Sequence, residues 1–215
     1  AWLLTKVLQP KVIRLGLPCK KMSVLGSHCM GEATRSQVAF TNRVAEHQRA
    51  RGRHASVEQP RGSLLFQQED WVEQFGTLER PKAPWRYSIS HGCQMGLKYP
   101  GQDDRGRPIQ KAQVWMADFD LSSMELRCRR PAALVGASHE HHQARGAWKA
   151  SDGQPGGGVA ELSGTYPPEM ATVYAAAVKR ACDGIPSRHD WSDETSLEQL
   201  ARASPTAKLL SLIHI

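Results

Sequence analysis

The sequence predicts an α/β fold, and three observations carry that prediction. A short apolar, partly β-branched run, Val12-Ile13-Arg14-Leu15-Gly16-Leu17, is followed by a polar segment with helical spacing and then by a second short run, His54-Ala55-Ser56-Val57. Two strands joined by a helix form a βαβ unit, in which the right-handed crossover makes the strands parallel. Near the other end, Tyr166-Pro167-Pro168-Glu169 opens a helix to about Ala181, with proline where a first turn tolerates it.

The remaining elements follow in chain order. Trp2 to Leu8 reads as an amphipathic helix; with Ala1 rather than Met in first position, the chain is expected to be a fragment that begins upstream. The first strand breaks at Pro18-Cys19. Thr34-x-x-Gln37 has the form of a capping box, and Val38, Val44 and Ala45 among polar neighbours suit a surface helix to about Arg51, stopped by Gly52. The second strand closes at Glu58-Gln59-Pro60. Asp70 to Phe75 reads as a short helix, and Trp85 to Ile89 and Gln113 to Met116 as strands, the latter entered after the loop Pro100 to Pro108. Ser122-x-x-Glu125 reads as a second capping box, opening a short helix that ends by Pro131. Residues 136–165 are rich in Gly, His, Ser and Pro and carry no period, so they are expected to be an irregular loop. One domain is expected over residues 1–182, with a disordered tail over 183–215. The final Lys208 to Ile215 stretch resembles translated adaptor sequence and is set aside.

Composition bounds the class. The chain has 215 residues, 40% hydrophobic, with 18 Gly and 13 Pro; that suits one medium domain with a compact core of roughly 120 to 170 residues. No apolar run approaches the roughly 20 residues of a membrane span, and no secretory signal opens the chain. The five cysteines, Cys19, Cys29, Cys93, Cys128 and Cys182, are odd in number and never spaced as Cys-x-x-Cys, a usage that suits a reducing compartment, nuclear or cytoplasmic. A net charge of +7 favours polyanionic partners without selecting one.

Two segments have chemistry at strand ends, where open α/β sheets place ligands. They are Gly16-Leu17-Pro18-Cys19-Lys20-Lys21-Met22-Ser23-Val24-Leu25-Gly26 and Val57-Glu58-Gln59-Pro60, with Cys19 and Glu58 39 residues apart. One crossover brings a thiol and a carboxylate to the same crevice. These motifs resemble the cytosine-5 DNA methyltransferases, more closely the divergent methyltransferase-like domains of retroelement polyproteins and large viruses: Pro-Cys followed by Ser and Gly after one strand, and Glu at the end of the next. The sequence departs from the enzymes in having Lys20-Lys21-Met22 where they have Gln-Gly-Phe, Gln59 where they have Asn, and Gln102, Arg105 and Arg107 spaced one residue wider than their Gln-x-Arg-x-Arg.

The resemblance implies the C-terminal part of a partial Rossmann-like, methyltransferase-type sheet, carried in a mobile-element polyprotein. It implies that Cys19 is the nucleophile adding to cytosine C6, with Ser23 in the same motif, and that Glu58 holds and protonates N3. Cytosine is too electron-poor at C5 to take a methyl group directly, so the thiolate must first add at C6. The base would be flipped out of the duplex to reach the pocket. S-adenosylmethionine is the implied donor, but the Gly-rich turn that binds it would lie upstream of Trp2. DNA is the implied partner. Lys20 and Lys21 beside Cys19 are expected to touch phosphates, as are Arg53 and Arg61 of the basic stretch that also holds Arg43, Arg49, Arg51 and His54.

A separate reading is a noncatalytic nucleic-acid-binding or zinc-supported structural module. Cys93, Cys128, His139 and His141 offer a soft-to-borderline donor set for tetrahedral zinc, and similar Cys and His-x-His arrangements occur in the retroelement-type domains. Trp85, Tyr87 and Trp115, on expected strands, are read as core.

Overall fold

The computed structural model describes residues 5–6, 8–17, 22, 31–101, 106–128, 141–142, 147–149, 155–159, 164 and 166–184. Among the described residues the elements run in the order β1 (Val12–Gly16), α1 (Glu32–Ala50), β2 (His54–Pro60), α2 (Glu69–Phe75), β3 (Arg86–His91), β4 (Ala112–Ala117), β5 (Ala147–Lys149), β6 (Pro155–Gly158) and α3 (Pro168–Asp183). Single 3-10 turns lie at Leu64–Gln67, Gly92–Met95 and Ser122–Met124.

The βαβ unit forms as expected. β1 and β2 pair in parallel with Val12 opposite His54 and Gly16 opposite Glu58. The sheet as a whole is mixed, in the order β1-β2-β4-β3, with β4 antiparallel to both neighbours. The expected parallel character therefore holds only for the first pair. The reason lies between β3 and β4, where a 3-10 turn and a loop pinned by the Lys98 to Pro108 bridge take the place of a crossover helix, so the chain returns beside the strand it has just left. β1, β2 and β3 run the same way, and their carboxyl ends share one edge of the sheet.

Side-chain alternation sends the two faces of the sheet to different cores. On one face Ala55, Val57, Val114, Met116 and Ile89 pack with Val38 and Ala45 of α1, and with Trp71 and Phe75 of α2. On the other, Trp115 and Ala117 pack with Met170 and Ala177 of α3, with Val12 and Tyr174 beside them. Helices thus cover both faces, and β4 is buried from Gln113 to Ala117. In α1 the buried positions Thr34, Val38, Thr41, Asn42, Val44, Ala45 and Gln48 fall along one stripe at spacings of three and four residues, the face a helix presents to a core. α3 has Pro168 at its first turn, and buried Met170 and Ala177 with half-buried Val173, Tyr174, Val178 and Ala181 make the same kind of stripe.

Several boundaries differ from expectation. α1 begins at Glu32, with Gly31 as N-cap and no side-chain cap, so Thr34 lies buried inside the first turn and no Thr34/Gln37 capping box forms. The Ser122/Glu125 box does not form either. Leu121 is the N-cap of a single 3-10 turn, and the Glu125 carboxylate accepts from the Ile89 N–H at 2.6 Å, tying the turn to β3 instead of capping it. β2 runs on to Pro60 because β4 pairs with it from Ser56 to Pro60, which places Glu58 inside the strand rather than in the following loop. Within the stretch expected to be irregular, β5 and β6 form an antiparallel pair; glycines at 156–158 write no alternating pattern, yet backbone pairing needs no side chains. The expected N-terminal helix is seen at Thr5, Lys6 and Leu8. The expected tail lies outside the described residues from 185 onward. No helix among the described residues is long and apolar enough to cross a membrane.

Candidate functional site

At the edge where β1 and β2 end, a pocket of about 280 Å³ opens between Gly16, Leu17, Glu58, Gln59, Pro60, Lys111, Gln113, Gly164 and Tyr166. Successive residues of β2 serve it from opposite faces. Glu58 shares its face with Trp115, which stands opposite it on β4. Gln59 points to the other face, where its amide donates to the Leu17 carbonyl at 2.7 Å and fixes the chain as it leaves β1.

Glu58 is 8% exposed and is held by three groups. The Tyr166 hydroxyl donates to Oε2, Arg14 Nη2 lies 3.7 Å from the same oxygen, and Gln113 supplies a further side-chain hydrogen bond. Burial raises the Glu58 carboxyl above the ordinary range, against the Tyr166 bond and the Arg14 charge, which both favour the ionised form. Burial and then the Glu58 charge likewise raise the Tyr166 hydroxyl. Arg14 lies over three rings, 4.3 Å from the centre of Tyr166, 5.4 Å from Trp115 and 5.6 Å from Tyr174. The rings and the carboxylate thus set its position from both sides. Tyr174 is fixed by a 2.6 Å hydrogen bond with Ser56 Oγ, and Trp115 Nε1 donates to Ser90 Oγ at 2.8 Å.

Of the residues singled out in the sequence, Glu58 is placed at the pocket. Cys19, Ser23, Lys20, Lys21 and His139 lie outside the described residues. Arg61 is exposed just beyond β2, with its N–H bonded to the Ala112 carbonyl at the pocket's edge. Arg53 is placed differently from the phosphate-contact reading: it is 6% exposed, precedes β2 at the opposite end of the strand from Glu58, and donates from Nη2 to Gln9 Oε1 at 2.6 Å. Arg43, Arg49 and Arg51 are exposed on or just after α1. The sequence reading missed Arg14, Tyr166, Lys111 and Gln113. An arginine inside an otherwise apolar strand was an available signal; its side chain is 34% exposed and lies beside the Glu58 carboxylate.

The second group of interest lies along the same edge. Cys93 stands on the 3-10 turn that follows β3, Cys128 follows the Ser122–Met124 turn, and His141 precedes His142. The two thiol sulfurs and one ring nitrogen of His141 all lie within 4.8 Å of one another, with Cys128 Sγ 3.4 Å from His141 Nε2. Each position is tied to the sheet. The Cys128 N–H donates to His91 Nδ1 at 3.0 Å. His142 stacks on Tyr99 with ring centres 3.7 Å apart, and its N–H donates to the Pro108 carbonyl at 2.9 Å. Burial and the Cys128 thiol push the Cys93 thiol up to about 12. Burial, followed by the charges of Arg61 and Arg127, lowers His91, which keeps Nδ1 available as an acceptor.

Comparison of the chain with models of protein families, with curated proteins and with solved structures gives no match.

Proposed function

We propose that this chain is part of a cytosine-5 DNA methyltransferase-type domain and that the pocket beside Glu58 receives a cytosine turned out of the nucleic-acid stack. The observation that carries the reading is the position of Glu58: a buried carboxyl in the pocket, its affinity for a proton raised by burial, opposite the last residue of the strand that leads into Pro18-Cys19. Three residues of extended chain reach about 11 Å at most, so the sequence keeps Cys19 within that distance of Gly16. A carboxyl whose hold on its proton is strengthened by burial is suited to give that proton to N3.

The methyl donor of such enzymes supplies the one-carbon group. Among the described residues no strand end opens through a glycine-rich turn into a helix, so no step here passes through the donor. What the chain's own residues supply is activation of the base. The Cys19 thiolate forms the S–C6 bond while Glu58 gives its proton to N3, so the electron pair of the C5–C6 double bond moves to C5. With no donor present, C5 takes a deuteron from heavy water and then loses its original proton to solvent. The S–C6 bond breaks, N3 returns its proton to Glu58, and cytosine is restored with deuterium at C5. Arg14 and Tyr166 hold the carboxyl in place, and exposed Arg61 at the pocket's edge meets the phosphate backbone.

The test is deuterium exchange at cytosine C5 in DNA incubated with the full chain in heavy water, read by mass spectrometry of the released nucleosides. Exchange is expected, absent in Cys19→Ser and slowed in Glu58→Gln while DNA binding persists. DNA binding without exchange in the parent chain replaces the catalytic reading with that of a noncatalytic nucleic-acid-binding module, which the thiol and imidazole cluster along the same edge would support as a structural element.

A further inference from the structure

We propose that Cys93, Cys128 and His141 bind one zinc ion that fastens His141 to the carboxyl-end edge of the sheet. This inference does not depend on the methyltransferase reading, since it rests on a different set of side chains.

The geometry is close to what the metal requires. Zinc to sulfur distances of about 2.3 Å and zinc to nitrogen distances of about 2.0–2.1 Å, set at tetrahedral angles, put neighbouring ligand atoms roughly 3.5–3.8 Å apart. Cys128 Sγ and His141 Nε2 already stand at 3.4 Å, and all three donor atoms fall within 4.8 Å. A small contraction of the cluster completes three corners, leaving the fourth to water or a further donor. Two thiolates and an imidazole are a soft-to-borderline set, which selects zinc over magnesium or calcium.

The three donors come from separate parts of the chain, and each is positioned independently of the others. The 3-10 turn carrying Cys93 continues from β3 and ends at Gly96 with φ +83°. Cys128 is oriented through its N–H to His91 Nδ1. His141 is delivered by its neighbour, because His142 pairs with Ile109 in a parallel bridge and stacks on Tyr99. Without an ion, the hydrogen bonds that this half-buried pair of thiols makes with the imidazole are weak ones. With zinc, the same alignment closes a cross-link between residues 93, 128 and 141, and binding energy becomes folding energy. Pairing of the two thiols as a disulfide is the competing use of the two sulfurs, but it gives the His141 alignment no role.

The experiment titrates cobalt(II), a spectroscopic stand-in for zinc, into the full chain under reducing conditions. One cobalt per chain is expected, with a thiolate-to-cobalt charge-transfer band and the intense visible bands of tetrahedral coordination, both displaced by zinc. Cys93→Ser, Cys128→Ser and His141→Ala should each lose the visible bands, whereas Cys182→Ser should keep them. Because a serine variant can fail to fold, Cys93→His is the second variant: it exchanges sulfur for nitrogen and should keep tetrahedral cobalt with a weaker charge-transfer band. Chelation should lower the thermal midpoint of the parent chain and leave that of His141→Ala unchanged. Reduced, folded protein that takes up no cobalt, bands that survive all three ligand substitutions, or a Cys93 to Cys128 disulfide in metal-free protein prepared under reducing conditions would overturn the proposal.

Discussion

The Tyr166 hydroxyl donates to Glu58 Oε2 across 108 residues of sequence, joining the start of α3 to the interior of β2. Arg14, 3.7 Å from the same oxygen and 4.3 Å above the Tyr166 ring, makes this a three-part arrangement in which each member restrains the other two. Its chemical effect is to hold a carboxyl that burial alone would drive further toward the neutral form.

Removing the tyrosine hydroxyl should therefore move the Glu58 titration in a defined direction. The Tyr166 bond favours the ionised carboxylate, so in Tyr166→Phe the midpoint for Glu58 should rise above its value in the parent chain, as followed by NMR of the carboxyl carbon. Leaving a buried acceptor with fewer donors should destabilise the fold by about 1–3 kcal/mol in denaturant melts. The sign for stability follows from linkage. A carboxyl whose folded value lies above its unfolded value contributes fully below the unfolded value, and that contribution is lost as pH rises through the folded value. The parent chain should lose stability over that window relative to Glu58→Gln, whose side chain has no proton to release. Asp118, also raised by burial, has the same sign in both proteins and cancels in the comparison. A midpoint for Glu58 that falls in Tyr166→Phe would show that the hydroxyl does not act on the carboxylate.

Gly76 provides a test of the packing beneath the other face. It adopts φ +77° after α2, and an added Cβ would lie 2.3 Å from the Arg80 carbonyl and 2.6 Å from the Lys82 nitrogen, both backbone atoms. Its own carbonyl accepts from Tyr87 OH at 3.1 Å, and that hydroxyl in turn accepts from Trp71 Nε1 at 3.0 Å. Trp71 and Phe75 form the centre of this core, fully buried with ring centres 4.4 Å apart. At Gly52, φ is +63° and nothing lies within 4 Å of an added Cβ, so alanine there meets only the left-handed backbone penalty of roughly 1–2 kcal/mol. Gly76→Ala should be the more destabilising of the two in equilibrium unfolding, by at least about 1 kcal/mol. Equal losses would mean that the Arg80 to Lys82 turn moves aside freely.

The sequence made the βαβ unit legible because strand, crossover helix and strand each carry their own periodicity, and the register of Gly16 opposite Glu58 follows once they pair. It concealed the antiparallel entry of β4, since a buried central strand such as Ala112–Ala117 is apolar on both faces whichever way it runs. The two apparent capping boxes failed for a related reason. A local spacing rule cannot see that Glu125 has a better partner in the Ile89 N–H, 36 residues away. At the site, Glu58 was legible as a strand-end carboxylate, but Tyr166, Lys111 and Gln113 reach it only through tertiary folding. The Cys93, Cys128 and His141 grouping was legible as chemistry before it was legible as geometry, because soft donors are few in the chain and few arrangements use them together.

The last prediction separates two arginines that look equivalent in the sequence. Arg61 is exposed beside the pocket, whereas Arg53 is 6% exposed and spends a guanidinium nitrogen on Gln9 Oε1 at 2.6 Å. If the pocket faces DNA, affinity should fall steeply with salt, because each phosphate neutralised releases condensed counterions. Arg61→Ala should weaken binding across unrelated sequences and lower the slope of log affinity against log salt by about 1. Arg53→Ala should leave that slope unchanged and appear instead as a loss of fold stability, since it removes the partner of Gln9 and opens space beneath the start of β2. Fluorescence anisotropy over a series of salt concentrations, paired with denaturant melts of the same proteins, distinguishes the two effects. An Arg53 variant that loses the slope while Arg61→Ala keeps it would place the nucleic-acid contact at the opposite end of the sheet, and with it would remove the reason for assigning the Glu58 pocket to a nucleotide base.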